Sequence, residues 1–149
     1  MCGPTMSGRI MAVDPGEKRH GIAISDPTGM IANPLTVLKH VSRKADAAII
    51  GEIARQNEAV CIVIGQAFEL DGTPGPMGRQ AARLAEVLRD LTDTPVVLWD
   101  ESGSTKAARS ARLAMGASKA KRRGHLDELA ATYILQSYLD NLDQNKRSV

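Results

Sequence analysis

Short apolar stretches separated by turn residues dominate the first forty positions of this 149-residue chain. The stretch 9–14 predicts a buried strand that ends in a carboxylate, and the stretches 21–25 and 35–38 predict two further strands. Pro15-Gly16 and the turn over 26–29 interrupt them. Because connections this short join antiparallel strands, we expect an antiparallel three-stranded meander.

After residue 42, helical spacing of apolar residues alternates with continuous apolar runs. Ser42 is the expected N-cap of the first helix. The predicted elements are helices over 42–57, 77–91, 104–115 and 125–142, with strands over 59–64 and 95–99. Strands separated by helices pair in parallel, so the complete order, βββαβαβαα, predicts a mixed five-stranded sheet flanked by helices. We expect one α/β domain over 9–142, between a flexible leader over 1–8 and a flexible tail over 143–149.

Composition narrows the classes of protein that this pattern fits. The chain is 43% hydrophobic and 24% charged, with a formal net charge of +2, which is ordinary for a globular domain. No apolar run approaches the ~20 residues that cross a bilayer, and a signal-peptide core is lacking, so we expect a cytoplasmic protein without a membrane partner. Aromatic residues make up only 3%, which argues against base stacking on an aromatic sheet. His20, His40 and His125 are too scattered for a helix-borne zinc pair.

Carboxylates fall at the ends of the predicted core elements. Asp14 ends the first strand, the pair Asp100-Glu101 ends the last strand, and Asp127 leads the apolar stripe of the terminal helix. Ligands of open α/β sheets bind at strand ends of this kind. Each acid also has a simpler interpretation, as a turn opener, a solvated strand end or a favourable acid in a first helical turn.

Converging acids at one edge of the sheet would repel each other unless a cation lay between them. Oxygen ligands without His or Cys select hard ions such as Mg²⁺ or Mn²⁺. Such ions activate water and stabilise a leaving oxygen during phosphodiester cleavage. The acids therefore point to metal-dependent phosphate chemistry.

Basic residues lie next to these acids along the chain. The candidates for contact with a nucleic-acid backbone are Lys18, Arg19, Arg79, Lys119, Lys121, Arg122 and Arg123. A charge run is often only a solvated linker, which remains an alternative for the residues between 119 and 123. Their position beside candidate metal ligands instead suits a polyanion that approaches the metal.

Taken together and in order, these segments resemble the YqgF family, also called RuvX-like Holliday junction resolvases. The likeness extends from about residue 9 to residue 140. Its anchors are the stretch 11–26, Ile62 to Gly65 with Asp71-Gly72, Asp100-Glu101 with Ser104-Thr105, 121–127, Ala130-Ala131 and 134–139.

The resemblance implies a ribonuclease H-like fold and a nuclease that matures the 5′ end of pre-16S ribosomal RNA. It also implies catalytic roles for Asp14, Asp100, Glu101 and Asp127. Of these, Asp14, Glu101 and Asp127 are the expected ligands of Mg²⁺ or Mn²⁺. Alternation along the last strand places Asp100 and Glu101 on opposite faces, and Glu101 is slightly favoured as the ligand. The expected partner is structured nucleic acid, either pre-rRNA or branched DNA, and the expected state is a monomer or weak homodimer.

The chain departs from the family pattern at three places. Gly65-Gln66-Ala67 stands where relatives read Gly-Leu-Pro, Ser102-Gly103 replaces Arg-Leu, and Ala107 replaces a Glu. These changes leave the acids intact but support an alternative, a non-catalytic RNA-binding factor for ribosome assembly. Resolution of four-way DNA junctions is another alternative. An actin-like or sugar-kinase ATPase, which shares the strand-Asp-turn-strand opening, would need a second lobe that a chain of this length does not supply.

Overall fold

A mixed five-stranded sheet forms the centre of the structure. The computed structural model describes residues 8–100 and 123–147, with side chains of the last helix described over 129–142. The strands are β1 (Arg9–Asp14), β2 (Arg19–Ser25), β3 (Ala32–Lys39), β4 (Ala59–Gln66) and β5 (Val96–Asp100). Their spatial order is β3-β2-β1-β4-β5, and the pairs β1–β2 and β2–β3 are antiparallel whereas β1–β4 and β4–β5 are parallel. This confirms the predicted mixed sheet.

The described helices are α1 (Arg43–Gln56), α2 (Pro76–Leu91) and α3 (Arg123–Arg147). Ser42 caps α1 as predicted, because its hydroxyl accepts the backbone N–H of Ala45 at 3.1 Å. Helix α3 begins two residues earlier than expected and continues five residues beyond 142, into the segment predicted to be a tail. The predicted helix over 104–115 lies outside the described residues, and the domain limits stay a prediction.

Side-chain alternation divides the core between the two faces of the sheet. One face packs against α1 and α2, and its buried residues include Met11, Val13, Ile22, Ile50 and Leu88. The other face packs against α3, and its core includes Ile10, Ala12, Ala23, Ile134 and Tyr138. Because both faces of β1 and β4 are covered, these central strands are apolar on both sides, as the continuous runs predict.

Most of the predicted apolar stripes face the core. Ala131, Ile134 and Tyr138 of α3 are buried against the sheet, as their spacing indicates. The apolar stripe predicted for α2 is buried at Ala81, Leu84 and Leu88 and partly exposed at Met77. Leu91 is 50% exposed because the helix ends there.

Candidate functional site

Asp14 ends the central strand β1, between β2 and β4. Its partner on β2 is Gly21, and the preceding residue, Val13, pairs with Ile64 on β4. Alternation from Ile10 and Ala12 places the Asp14 side chain on the face that packs against α3. The residue is partly exposed, so its carboxylate lies where the core opens to solvent. The structure thus puts Asp14 at the edge where the sequence predicts it.

Asp100 lies at the same edge, at the end of β5. It pairs with Gln66 of β4, the strand that separates β5 from β1. The alternation with Val96 and Leu98, which belong to the α1/α2 core, places Asp100 on that face and not on the face of Asp14. One strand, β4, and the thickness of the sheet therefore lie between Asp100 and Asp14.

Two of the predicted acids are described only in part or not at all. Glu101 lies outside the described residues. Asp127 belongs to α3, one helical turn before the buried Ala131, but its side chain lies outside the described range. The direct contact of these acids with Asp14 stays a prediction.

Three exposed basic residues lie near the ends of β1 and β4, at the edge of the sheet that Asp14 occupies. Lys18 and Arg19 are exposed at the turn into β2, and Arg79 is exposed in the first turn of α2, which follows the loop after β4. The Arg79 guanidinium donates to the Pro74 carbonyl at 3.1 Å, which holds it at this loop. Arg123 is the first residue of α3 with its side chain outside the described range, and Lys119, Lys121 and Arg122 lie outside it entirely.

Polar contacts fix α3 across the face on which Asp14 lies. The Trp99 indole N–H donates to the Ser137 hydroxyl at 3.3 Å, and the Trp99 and Tyr138 rings pack in a T-shaped arrangement with centroids 5.3 Å apart. Burial raises the pKa of Tyr138. At the other side of the sheet, the Gln136 side chain accepts from the Ala32 N–H at 2.9 Å. These contacts fix the position of the helix that carries Asp127.

A second polar cluster, which the sequence reasoning missed, lies on the opposite face. We call His20, His40 and Asp46 the His-Asp cluster; their potential ligand atoms all lie within 4.8 Å of one another. His20 Nε2 lies 2.7 Å and His40 Nδ1 lies 2.5 Å from Asp46 Oδ2, and the Val41 N–H donates to Oδ1 at 3.0 Å. Burial raises the pKa of Asp46, but these hydrogen bonds outweigh that effect and hold it below its ordinary value. The carboxylate is therefore ionised at neutral pH.

The His-Asp cluster forms one wall of a cavity of about 230 Å³ on the α1/α2 side of the sheet. Pro15, Arg43, Gln80 and Leu84 complete much of the lining. A signal for the cluster exists in the sequence, since His20 alternates with the buried Ile22 and Ile24 on β2. Asp46 likewise precedes Ile50 by one helical turn on the buried stripe of α1. Because a buried charge is costly without a partner, an acid on a buried stripe predicts a polar group beside it.

None of the helices in the described ranges is both long and apolar enough to cross a membrane.

Comparison with known sequences identifies the relatives of the chain. The model of the RuvX family, described as Holliday junction resolvase, matches residues 8–141. A protein of Syntrophus aciditrophicus, named as a proposed pre-16S rRNA nuclease, is 41% identical over 93% of this chain and 92% of its own. A Thermoanaerobacter pseudethanolicus protein with the same name is 40% identical over 89% of this chain and 96% of its own.

Comparison of structures gives the fold. A Thermus thermophilus RuvC structure, in complex with Holliday junction substrate, matches with a TM-score of 0.56 and 16% identity, over 91% of this chain and 96% of that one. The fowlpox virus resolvase, in a complex with Holliday junction DNA, matches with a TM-score of 0.54 and 16% identity, over 90% and 98%. At this identity the likeness concerns the fold alone, and it confirms the predicted ribonuclease H-like class.

Proposed function

We propose that this chain, which belongs to the RuvX family of Holliday junction resolvases, is a cytoplasmic nuclease that uses Mg²⁺ or Mn²⁺ to process the 5′ end of pre-16S ribosomal RNA. The position of Asp14 carries the proposal. A partly exposed carboxylate ends the central strand between an antiparallel and a parallel neighbour, on the face that α3 covers. The names of the 41% and 40% identical relatives support the RNA substrate.

The donor set at this edge suits a hard cation. Asp14 offers carboxylate oxygens, whereas the imidazoles of the His-Asp cluster lie on the other face of the sheet. We assign Asp14, Glu101 and Asp127 as the ligands. The face that Asp100 occupies supports Glu101 as the ligand from the end of β5, since Asp100 lies away from Asp14. When bound, the metal supplies activation of water and stabilisation of the leaving oxygen.

The basic residues of the edge would hold the substrate. Lys18, Arg19 and Arg79 are exposed near the edge of the sheet where β1 and β4 end, a position that suits contact with phosphates and with the shape of a folded strand. We extend this role to Lys119, Lys121, Arg122 and Arg123. Affinity should therefore fall steeply as salt rises. We propose that the chain acts as a monomer or weak homodimer.

Cleavage of a labelled pre-16S rRNA fragment in Mg²⁺ or Mn²⁺ tests the role of Asp14. We expect Asp14→Asn to lower the cleavage rate roughly 100-fold or more without a change in the unfolding transition. The matched control is Asp93→Asn, which removes an exposed carboxylate before β5, at the opposite end of the sheet. Equal cleavage by the parent protein and Asp14→Asn would exclude the assignment.

A second candidate substrate is four-way DNA. The name of the family and the fold shared with two resolvases solved on Holliday junctions favour it. Cleavage of a four-way junction, in preference to a linear duplex of the same sequence, would identify that activity. Binding of pre-rRNA with no cleavage in any divalent ion would instead identify a non-catalytic assembly factor.

A further inference from the structure

The hydrogen bonds of the His-Asp cluster specify which imidazole nitrogens carry protons. The Gly16 N–H donates to His20 Nδ1 at 3.3 Å, so this nitrogen must present a lone pair. The proton of His20 therefore resides on Nε2, which donates to Asp46 Oδ2 at 2.7 Å. His40 must donate from Nδ1 to the same oxygen, because an ionised carboxylate only accepts.

This proton arrangement disfavours a cation inside the cluster. A metal on His20 Nε2 would have to displace the proton that the nitrogen shares with Asp46, while Gly16 still donates to Nδ1. The imidazole would then carry no proton at all. The cluster is built as a hydrogen-bonded unit.

The unit holds the turn that directly follows Asp14. Gly16, two residues beyond Asp14, folds so closely against the start of β2 that a Cβ atom there would lie 2.2 Å from the Arg19 carbonyl oxygen. The Gly16 N–H donates to His20, which is 5% exposed. His20 in turn donates to Asp46, which is 2% exposed. A chain of hydrogen bonds thus runs from Asp46 on α1, through His20, to the backbone of the turn after Asp14.

His20 and Asp14 lie on opposite faces of the sheet. His20 shares the α1/α2 face with Ile22 and Ile24, whereas Asp14 shares the α3 face with Ile10 and Ala12. His20 therefore lies behind the sheet from the carboxylate, where it can fix the backbone without contact with a substrate on the other side.

We propose that His20, oriented by Asp46, is a positioning residue for Asp14 and acts through the N–H of Gly16. The inference rests on the proposed function, because it assigns to His20 the task of aiming the metal-binding carboxylate. His40 and the Val41 N–H each donate a further hydrogen bond to the Asp46 carboxylate and keep it fixed. Arg43, on α1, is the further charged side chain among the residues that line the adjacent cavity.

Two substitutions of His20 separate its two hydrogen bonds. His20→Gln retains a donor at the ε position, toward Asp46, but offers no acceptor at the δ position for Gly16. His20→Asn offers an acceptor at the δ position and gives up the reach to Asp46. We expect His20→Gln to lower kcat for the cleaved substrate roughly 10- to 100-fold with KM changed less than about twofold, and His20→Asn to recover part of the loss.

The matched control is Ile50→Val, which removes one buried methyl group from α1, one helical turn from Asp46. It lowers stability without touching the cluster. If Ile50→Val reduces kcat as much as His20→Gln does, the effect is one of general stability and the positioning role is wrong. An unchanged kcat in His20→Gln would overturn it as well.

Two measurements test the positioning role of His20 without an assay of cleavage. Nitrogen NMR of the parent protein should show His20 protonated on Nε2 and His40 on Nδ1, with His125→Gln and His40→Asn used for assignment. Hydrogen exchange of the Gly16 amide should be at least tenfold faster in His20→Gln than in the parent and in Ile50→Val. Unchanged exchange, or binding of one equivalent of Zn²⁺ that removes both imidazole protons, would overturn the inference.

These readouts keep the two proposals distinguishable. If the parent protein and Asp14→Asn cleave equally, the proposed function fails, and the exchange of the Gly16 amide still reports whether His20 holds the turn. If Asp14→Asn abolishes cleavage but both His20 variants retain the parent's kcat, only the positioning role fails.

Discussion

The two faces of the sheet carry different polar groups at the same edge. On the α3 face, Asp14 is partly exposed at the end of an apolar strand. On the α1/α2 face, Asp46 is 2% exposed, and both of its oxygens accept hydrogen bonds from neighbours that the fold supplies. A buried carboxylate with this many fixed donors is stabilised as a structural group. A carboxylate at an open edge can exchange its partners for a cation and a substrate.

The contrast explains why burial alone would misidentify the site. The His-Asp cluster and the cavity beside it lie behind the sheet from Asp14. Asp14, which the family resemblance assigns to catalysis, lies where the core of the other face opens to solvent. In the two proposals, the face with His20 and Asp46 holds the backbone, and the face with Asp14 carries the chemistry.

Substitutions in the core on each face of the sheet should give the largest changes in stability. Ile50→Ala on the α1 side and Ile134→Ala on the α3 side each empty a fully buried position, so we expect each to lower the free energy of unfolding by about 2–5 kcal/mol. Denaturant titration followed by two probes should give a single transition for both variants. Separate transitions for the two faces would show that α3 is not part of one cooperative unit with α1.

Gly16→Ala should give the next largest effect. The added Cβ would meet the Arg19 carbonyl oxygen at 2.2 Å, and the backbone has to shift. We expect a loss of about 1–3 kcal/mol in stability and a fall in cleavage larger than that stability loss explains, because the shift moves the turn after Asp14. Thermal unfolding and the cleavage rate, measured at the same temperature, check both parts.

Gly51→Ala is the matched glycine substitution and should act in the opposite direction. A Cβ at Gly51 meets no atom within 4 Å, and the residue lies inside α1. Alanine restricts the unfolded chain and favours the helix, so we expect a gain of about 0.5–1 kcal/mol in stability with cleavage unchanged. A destabilised Gly51→Ala would show that α1 is crowded on that side.

Acid should weaken the α1/α2 face through Asp46. Its pKa is lower in the folded than in the unfolded protein, so its contribution is fully present above the unfolded value, near 3.9, and is lost as the pH falls through the folded value. We therefore expect stability to decline below about pH 4 and the decline to be shallower in Asp46→Asn. Asp93→Asn, which removes an exposed acid, should retain the slope of the parent protein. Equal slopes in all three proteins would contradict the role given to Asp46.

The sequence predicts the strands and helices because the local signals, such as helix caps, agree with the apolar pattern along the chain. Ser42 begins α1 and the apolar runs give β1 and β4, since caps and buried strands depend on nearby residues. The His-Asp cluster was missed because its members are far apart along the chain: His40 follows His20 by 20 residues, and Asp46 follows His40 by 6. They meet only after β2, β3 and α1 pack together. The face of Asp100 likewise depends on the register of β5 against β4, which no local pattern specifies.

The most direct test of the central claim compares metals and substrates in one experiment. The purified chain is incubated with a pre-16S rRNA fragment or a four-way DNA junction, in Mg²⁺, in Mn²⁺ or with a chelator, beside Asp14→Asn. The account predicts cleavage of the RNA at one position with either ion, none with chelator, and a rate reduced roughly 100-fold or more by the substitution. Cleavage that persists in the chelator, or that Asp14→Asn leaves intact, would contradict it.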